Sequence, residues 1–422
     1  MIEDAPYRTG RDYALDLDHR DPLARFRDEF EIPTRAHGRE EIYFAGNSLG
    51  LLPKRTPSYV QEELTKWGRQ AVKAHFSDPN PWMPYHELLA VPMARLLGAS
   101  PGEVVTMNSL TVNLHLMMAS FYRPTRERHR ILLEDRAFPS DDYALESQAA
   151  FHGFDPAEAL VRVRPADVPQ VLERDGEAIA LVLLPGVQYY SGLAFDIGAI
   201  TRLAQAKGCA VGFDLAHAVG NLVLRLHDWN VDFAVWCTYK YLNSGPGSVG
   251  GCFVHERHGA RTDFPRLAGW WGHDKASRFR MEAGFRPIPG AEGWQLSNPP
   301  ILSLAAIRAS LEVFMEARAM EPLREKSVRL TGYLEWLLRT EVGDAVEILT
   351  PSDPDRRGCQ LSMRVKTNVP GKTVFEKLEA SGVTCDWREP DVIRVAPVPL
   401  YNTFEDVLRF SERLEQALRD NP

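Results

Sequence analysis

Five short apolar runs dominate the chain between residues 100 and 240: EVVTM (103–107), RILLED (130–135), AIALVLLP (178–185), CAVGFD (209–214) and DFAVWCTY (232–239). Their hydrophobicity is continuous rather than alternating, as in strands covered on both faces. Amphipathic stretches such as 199–207 lie between them. This order predicts an α/β domain with a mostly parallel central sheet. After residue 300 the pattern changes. Helical spacing runs over 302–319 and 324–338. Short strands then follow in CQLSMRVK (359–366), VTCDW (383–387) and VIRVAPVP (392–399), interleaved with helices at 373–380 and 403–418. That is the signature of a smaller α+β unit. The first fifty or so residues show no core-strand pattern. The expected division is an N-terminal segment (1–54) packing with the small unit, a large α/β domain (55–310) and a small C-terminal α+β domain (311–422).

Composition narrows the functional classes. The formal net charge of −8 offers no basic surface, so nucleic acid is not an expected partner. The apolar runs reach only strand length, so no membrane span is expected. The N-terminus, MIEDAPYRTGRDY, is acidic and polar and does not read as a signal peptide. The cysteines Cys209, Cys237, Cys252, Cys359 and Cys385 form no CxxC pair, which argues against a disulfide framework and against a zinc site. A cytoplasmic protein without a metal is the expectation.

The candidate chemistry sits where the strands end, the usual ligand-binding edge of a parallel sheet. Asp214 closes VGFD, and Lys240 follows the run 231–239 and precedes a glycine-rich loop, NSGPGSVGG. A lysine and an acid so placed are what pyridoxal phosphate (PLP) needs. The amine forms a Schiff base with the aldehyde, and the carboxylate keeps the pyridine nitrogen protonated. A buried carboxylate at 214 requires such a partner. His217 either packs over the ring or bonds Asp214, and a satisfied core histidine competes with both readings. The helix beginning at Leu110 and Thr111 offers amides and a dipole to a phosphate, although an ordinary capped core helix gives the same pattern. In the loop Phe138, Pro139, Ser140, Asp141, the phenyl ring suits stacking and Asp141 suits orienting a polar group; a Phe-Pro turn with a solvated acid is the plainer alternative. Trp270, Ser297 and Asn298, and Arg394 as a carboxylate clamp, are weaker candidates when each is taken alone.

Taken together, the motifs resemble those of the kynureninases, PLP-dependent hydrolases with the aspartate aminotransferase-like fold. GNSLGL (46–51), LTVNLHL, ILLEDRAFPSD, VGFDLAHAVGN, YKYLN, GWWGH, LSNPPIL, RGCQL and IRVAPVPLYN carry the resemblance over nearly the whole chain. It implies that Lys240 is the Schiff-base lysine and Asp214 the pyridinium partner, with His217 beside it. Leu110, Thr111, Tyr239 and Trp270 match positions that contact the cofactor, largely at its phosphate. Phe138 and Asp141, with Pro139 and Ser140 between them, match the ring-contacting loop. Tyr190 matches a tyrosine near the cofactor, and Arg394 the clamp on the substrate α-carboxylate. Ser48, His75 and Asn298 match positions around the aryl ring, with Ser297 adjacent. At Pro185 some relatives carry a small polar residue, so this chain lacks a side-chain donor there.

The implied reaction is hydrolysis of the Cβ–Cγ bond of an aryl-keto amino acid to an anthranilate and L-alanine. Lys240 would move the Cα proton, and Tyr239 would assist the water. The resemblance also implies a homodimer with active sites at the interface, Trp270 and Asn298 reaching towards the partner's cofactor. A polar rim of His75, Ser297 and Asn298 favours 3-hydroxykynurenine over kynurenine. Two other readings stand beside this one. A cysteine desulfurase or selenocysteine lyase needs a nucleophilic cysteine on a mobile loop, which Cys359 and Cys385 do not suit. A non-catalytic PLP-binding regulator would not need Arg394, His75 and Tyr239 together.

Overall fold

In the computed structural model, residues 7–35, 38–261 and 263–419 are described; the remainder of the segments 1–54 and 311–422 lies outside them. A seven-stranded sheet forms the centre, in the order Val104–Thr106, Gly251–Val254, Phe233–Trp236, Ala210–Asp214, Ile179–Pro185, Arg130–Glu134, Leu160–Val163. All neighbouring pairs are parallel except the two made by Gly251–Val254. Each of the five apolar runs supplies one strand. The two strands the pattern missed have reasons. Leu160–Val163 is an edge strand whose Arg162 reaches solvent, and Gly251–Val254 is a four-residue strand beginning in glycine.

Helices cover both faces because the strands are apolar on both. One core lies under Leu97, Val182, Phe213, Trp236 and the helix Ile301–Glu316; another lies under Met117, Leu133, Leu181 and Phe233. Alternate residues of one strand thus feed opposite cores, as the period of two requires. Burying each such side chain fully contributes about 1.5–3 kcal/mol.

A second sheet, Asp386–Arg388, Val392–Val395, Leu361–Val365, Val346–Ile348, is antiparallel throughout. The helices Met320–Leu337, Gly371–Ser381 and Phe404–Arg419 pack on it around Leu334, Met363, Ile393 and Phe410. The core changes hands along Met320–Leu337: Leu323 packs with the large sheet and Leu330 with the small one. The N-terminal segment touches both cores, Phe26 and Phe30 in the first and Ala14, Ile42 and Phe44 in the second. Its short strand Ile42–Tyr43 pairs in parallel with Val383–Thr384. No helix among the described residues is long and apolar enough to cross a membrane.

Candidate active site

Three adjacent parallel strands end together at Glu134, Pro185 and Asp214, with Pro185 opposite Asp214 in register. The next strand, Phe233–Trp236, runs on into Tyr239 and Lys240. A cavity of about 160 Å³ opens above these ends.

One end of the cavity is acidic. Asp214 accepts the Ala216 N–H at 2.7 Å. Asp141 and Glu134 are buried beside it, and Asp141 Oδ1 and Glu134 Oε2 have no hydrogen-bond partner. Burial raises all three carboxyls. Glu134 is pushed up to about 9, by burial first and then by the charges of Asp214 and Asp135, against a lowering bond from Gln188. Burial is the largest cause for both Asp141 and Asp214, and for Asp141 the neighbouring charges of Asp214 and Glu134 raise it further. A cluster of buried carboxyls with orphaned oxygens is completed by a cation that can be desolvated, and a protonated pyridine nitrogen is one.

Lys240 stands over this end. Its Nζ lies 3.0 Å from His217 Nε2 and 5.9 Å from the centre of the Phe138 ring. Burial and the Lys240 charge hold His217 well below its ordinary pKa, so it is neutral and its Nε2 can accept from Lys240 Nζ. The lysine is fixed by its backbone. Thr238 Oγ1 donates to the Val249 carbonyl at 2.6 Å, pinning the glycine-rich loop. Gly50 N–H donates to the Tyr239 carbonyl at 2.8 Å. A Cβ at position 50 would lie 2.2 Å from the Lys240 carbonyl oxygen, so only glycine permits this approach.

The same cavity offers donors. The helix Leu110–Phe121 starts at the cavity, and its cap residue Ser109 makes no side-chain cap bond, leaving the first-turn amides and the positive dipole end free for an anion. Thr111 Oγ1 and Ser140 Oγ lie 2.8 Å apart at the wall. Phe138 meets Tyr189 edge-on at 5.3 Å and precedes the helix Pro139–Phe151, with Pro139 at its first position. The cavity therefore carries anion donors, buried acids and an amine together. That combination fits a phosphorylated pyridinium aldehyde.

The structure brings Leu110, Thr111, Phe138, Ser140, Asp141, Asp214, His217, Tyr239 and Lys240 to one cavity. Pro185 also lines it, presenting only an apolar ring. Other candidates lie elsewhere in the single chain. Tyr190 turns away and donates to Asp391 at 3.2 Å, while its neighbour Tyr189 lines the cavity. Trp270 is 42% exposed, its Nε1 donating to the Arg278 carbonyl at 3.1 Å, and Ser297 and Asn298 are exposed. His75 is half-buried against Trp82, with Nδ1 3.0 Å from the Val72 carbonyl oxygen. Arg394 is fully buried and donates to Asp386 and to the Tyr189 carbonyl, and Ser48 donates to Asp386. Glu134 and Tyr189 escaped the sequence reading. Glu134 closes RILLE as Asp214 closes VGFD, and that parallel was the available signal.

All five cysteines are unpaired and buried, and burial raises every one, Cys359 to about 12. Among the described residues, two groups bring possible metal-ligand atoms within 4.8 Å of one another, Glu103/His227/His255 and His86/Glu87/Glu292, and neither lines the cavity.

Residues 323–414 match the family model described as the kynureninase C-terminal domain. The kynureninase of Koribacter versatilis (strain Ellin345) is 54% identical over 418 residues, 97% of this chain and 98% of that protein. The kynureninase of Xanthomonas euvesicatoria pv. vesicatoria (strain 85-10) is 57% identical over 417 residues, 96% and 97% of the two chains. Among solved structures, a C-DES mutant with glycine covalently linked to its PLP cofactor superposes with a TM-score of 0.76 at 17% identity, covering 89% of this chain and 96% of its own. The cysteine desulfurase of Thermococcus onnurineus NA1 gives 0.74 at 16% identity, covering 98% and 100%. At that identity the likeness establishes the fold alone: the mostly parallel α/β architecture expected from the apolar runs.

Proposed function

The chain belongs to the kynureninase family, and from that premise we propose that it hydrolyses the Cβ–Cγ bond of L-kynurenine or 3-hydroxy-L-kynurenine. The products are anthranilate or 3-hydroxyanthranilate and L-alanine, and the cofactor is PLP. The observation that carries the reading is that Lys240 and His217, the buried carboxyls of Asp214, Asp141 and Glu134, and the start of the helix Leu110–Phe121 line one cavity. Bound there, PLP supplies an aldehyde for the lysine amine and a ring that takes up electrons from the substrate carbon.

The chain's own groups do the rest. The amides of Leu110 and Thr111 and the hydroxyls of Thr111 and Ser140 hold the phosphate. Asp214, oriented by the Ala216 N–H, would hold the ring nitrogen, whose positive charge would favour its carboxylate form. Phe138, on the cavity wall, would pack against the ring. Lys240 moves the proton at the substrate Cα, and neutral His217 accepts its N–H and keeps the amine oriented. Tyr239, whose phenol burial holds protonated, assists water addition at the γ-ketone. Arg394 binds the α-carboxylate.

We read Trp270, Ser297 and Asn298, all outside the cavity of one chain, as groups that complete the site of a second copy in a homodimer. Ser48, His75, Tyr190, Ser297 and Asn298 remain our assignments to the substrate side. The three-part division at 54 and 310, a cytoplasmic location and a place in tryptophan breakdown or NAD formation belong to the same reading. A polar rim of His75 and Asn298 favours the 3-hydroxy substrate; exchanging Asn298 for Thr and His75 for Trp should move the ratio of the two kcat/KM values towards kynurenine. The burial of every cysteine disfavours desulfurase chemistry despite the shared fold.

A product assay with both substrates tests the function. Fluorescent anthranilate that appears with the intact protein and not with Lys240→Ala supports it. Sulfide from cysteine with no anthranilate from either substrate overturns it.

A further inference from the structure

Arg394 is 1% exposed, and a buried guanidinium must be matched by an anion even when no substrate is present. The sheet supplies one. Asp386 lies directly opposite Arg394 in the antiparallel pair Asp386–Arg388 with Val392–Val395, so both side chains project from the same face. Arg394 Nε donates to Asp386 Oδ1 at 2.9 Å, and Nη1 donates to the Tyr189 carbonyl at 2.6 Å. Nη2 also lies 2.8 Å from Oδ1, but its N–H groups are not aligned on that oxygen and have no acceptor. One corner of the fork is thus held ready while the other two are tied down.

Asp386 is itself held from two further directions. Arg388 approaches with Nε 3.0 Å from Oδ1 and Nη2 3.2 Å from Oδ2, and Ser48 Oγ donates to Oδ2 at 2.6 Å. Two guanidiniums on one carboxylate leave one unit of positive charge, the complement of a single substrate carboxylate. Ser48 belongs to the loop 46–50. The same loop puts Asn47 Nδ2 3.0 Å from Gln360 Oε1 and Gly50 N–H on the Tyr239 carbonyl, one residue before the lysine.

We propose that Asp386 is the positioning residue of the carboxylate clamp, fixing the Arg394 guanidinium with Nη2 free, and that Ser48 acts through Asp386 to tie the loop beneath Lys240 to that clamp. The inference rests on the reading of Arg394 as the α-carboxylate ligand. It gives Ser48 a role that does not require contact with the aryl ring.

The test uses the holoenzyme and two ligands, L-kynurenine and its decarboxylated amine analogue, with binding read from the cofactor absorbance. Loss of a hydrogen bond to a charged group predicts that Asp386→Ala weakens L-kynurenine about 10- to 100-fold while the amine analogue changes by no more than about 2-fold. Asp386→Glu should restore part of the loss. Asp386→Asn, nearly the same size, should give an intermediate loss with the same discrimination and serves if the alanine variant does not fold. Ser48→Ala should weaken L-kynurenine alone, by about 3- to 10-fold, and should add nothing in an Asp386→Ala background. Equal weakening of both ligands in the Asp386 variants, or an additive effect of Ser48→Ala, overturns the inference. Arg394→Ala is the control: if it does not discriminate between the two ligands, the reading of Arg394 itself has failed, and the Asp386 result is judged apart from it.

Discussion

Glu134→Gln isolates the acidic end of the cavity. Glu134 is buried, has an unpartnered Oε2 and is pushed from the ordinary 4.5 up to about 9. Between those values the folded chain holds a proton that the unfolded chain has released. The folded state therefore binds more protons, and stability falls as pH rises through this window. One pKa unit corresponds to about 1.36 kcal/mol, so this carboxyl alone removes about 3 kcal/mol of stability between pH 6 and pH 8. That is a large share of a typical ~5–15 kcal/mol total. Glutamine has the shape of the neutral acid and does not titrate, and every other titrating group is common to both proteins. Urea midpoints of the cofactor-free proteins at pH 6, 7 and 8, with m held in common, give the comparison. The variant should gain on the parent by about 3 kcal/mol across the range. With PLP bound the gain should shrink, because a positive ring nitrogen lowers the neighbouring acid. Parallel pH dependences of the two cofactor-free proteins would refute the claim that Glu134 enters the fold protonated.

The remaining expectations concern the lysine, its loop, the cysteines and the interface. Lys240→Ala should abolish turnover and leave no peptide labelled by borohydride in the presence of PLP. Gly50→Ala places a Cβ 2.2 Å from the Lys240 carbonyl oxygen and 2.7 Å from Asn243 Cα, both backbone, so a loss of about 1–3 kcal/mol in stability with weakened PLP retention is expected from thermal melts and cofactor dialysis. Native protein should leave its five thiols unreacted with a soluble thiol reagent, and all five should react after unfolding; fast labelling in the native state would contradict their burial. Mixing an inactive Lys240→Ala chain with an inactive Trp270→Ala chain should restore activity if Trp270 serves the partner's site, and no recovery in a verified mixed dimer would reject that assignment.

Sequence periodicity alone determined the five parallel strands, because strands buried on both faces are uniformly apolar and cannot hide that composition. It also pointed to Asp214 and Lys240, an acid and an amine closing such runs, and the fold brings both to one cavity. Leu160–Val163 stayed hidden because an edge strand need not be apolar at every position, and Gly251–Val254 because it is short and runs against the rest. The acid trio was only partly legible: Glu134 and Asp214 end strands separated by Ile179–Pro185 in the sheet, and Asp141 joins them from the first turn of the helix Pro139–Phe151. Asp386 had no sequence signal at all, since its value comes from lying opposite Arg394 across a ladder and under the hydroxyl of Ser48 more than three hundred residues away. Local composition determines what a segment buries, but which distant charges face each other is decided by the packing of the sheets, through distances that fall within hydrogen-bond reach only in the folded chain.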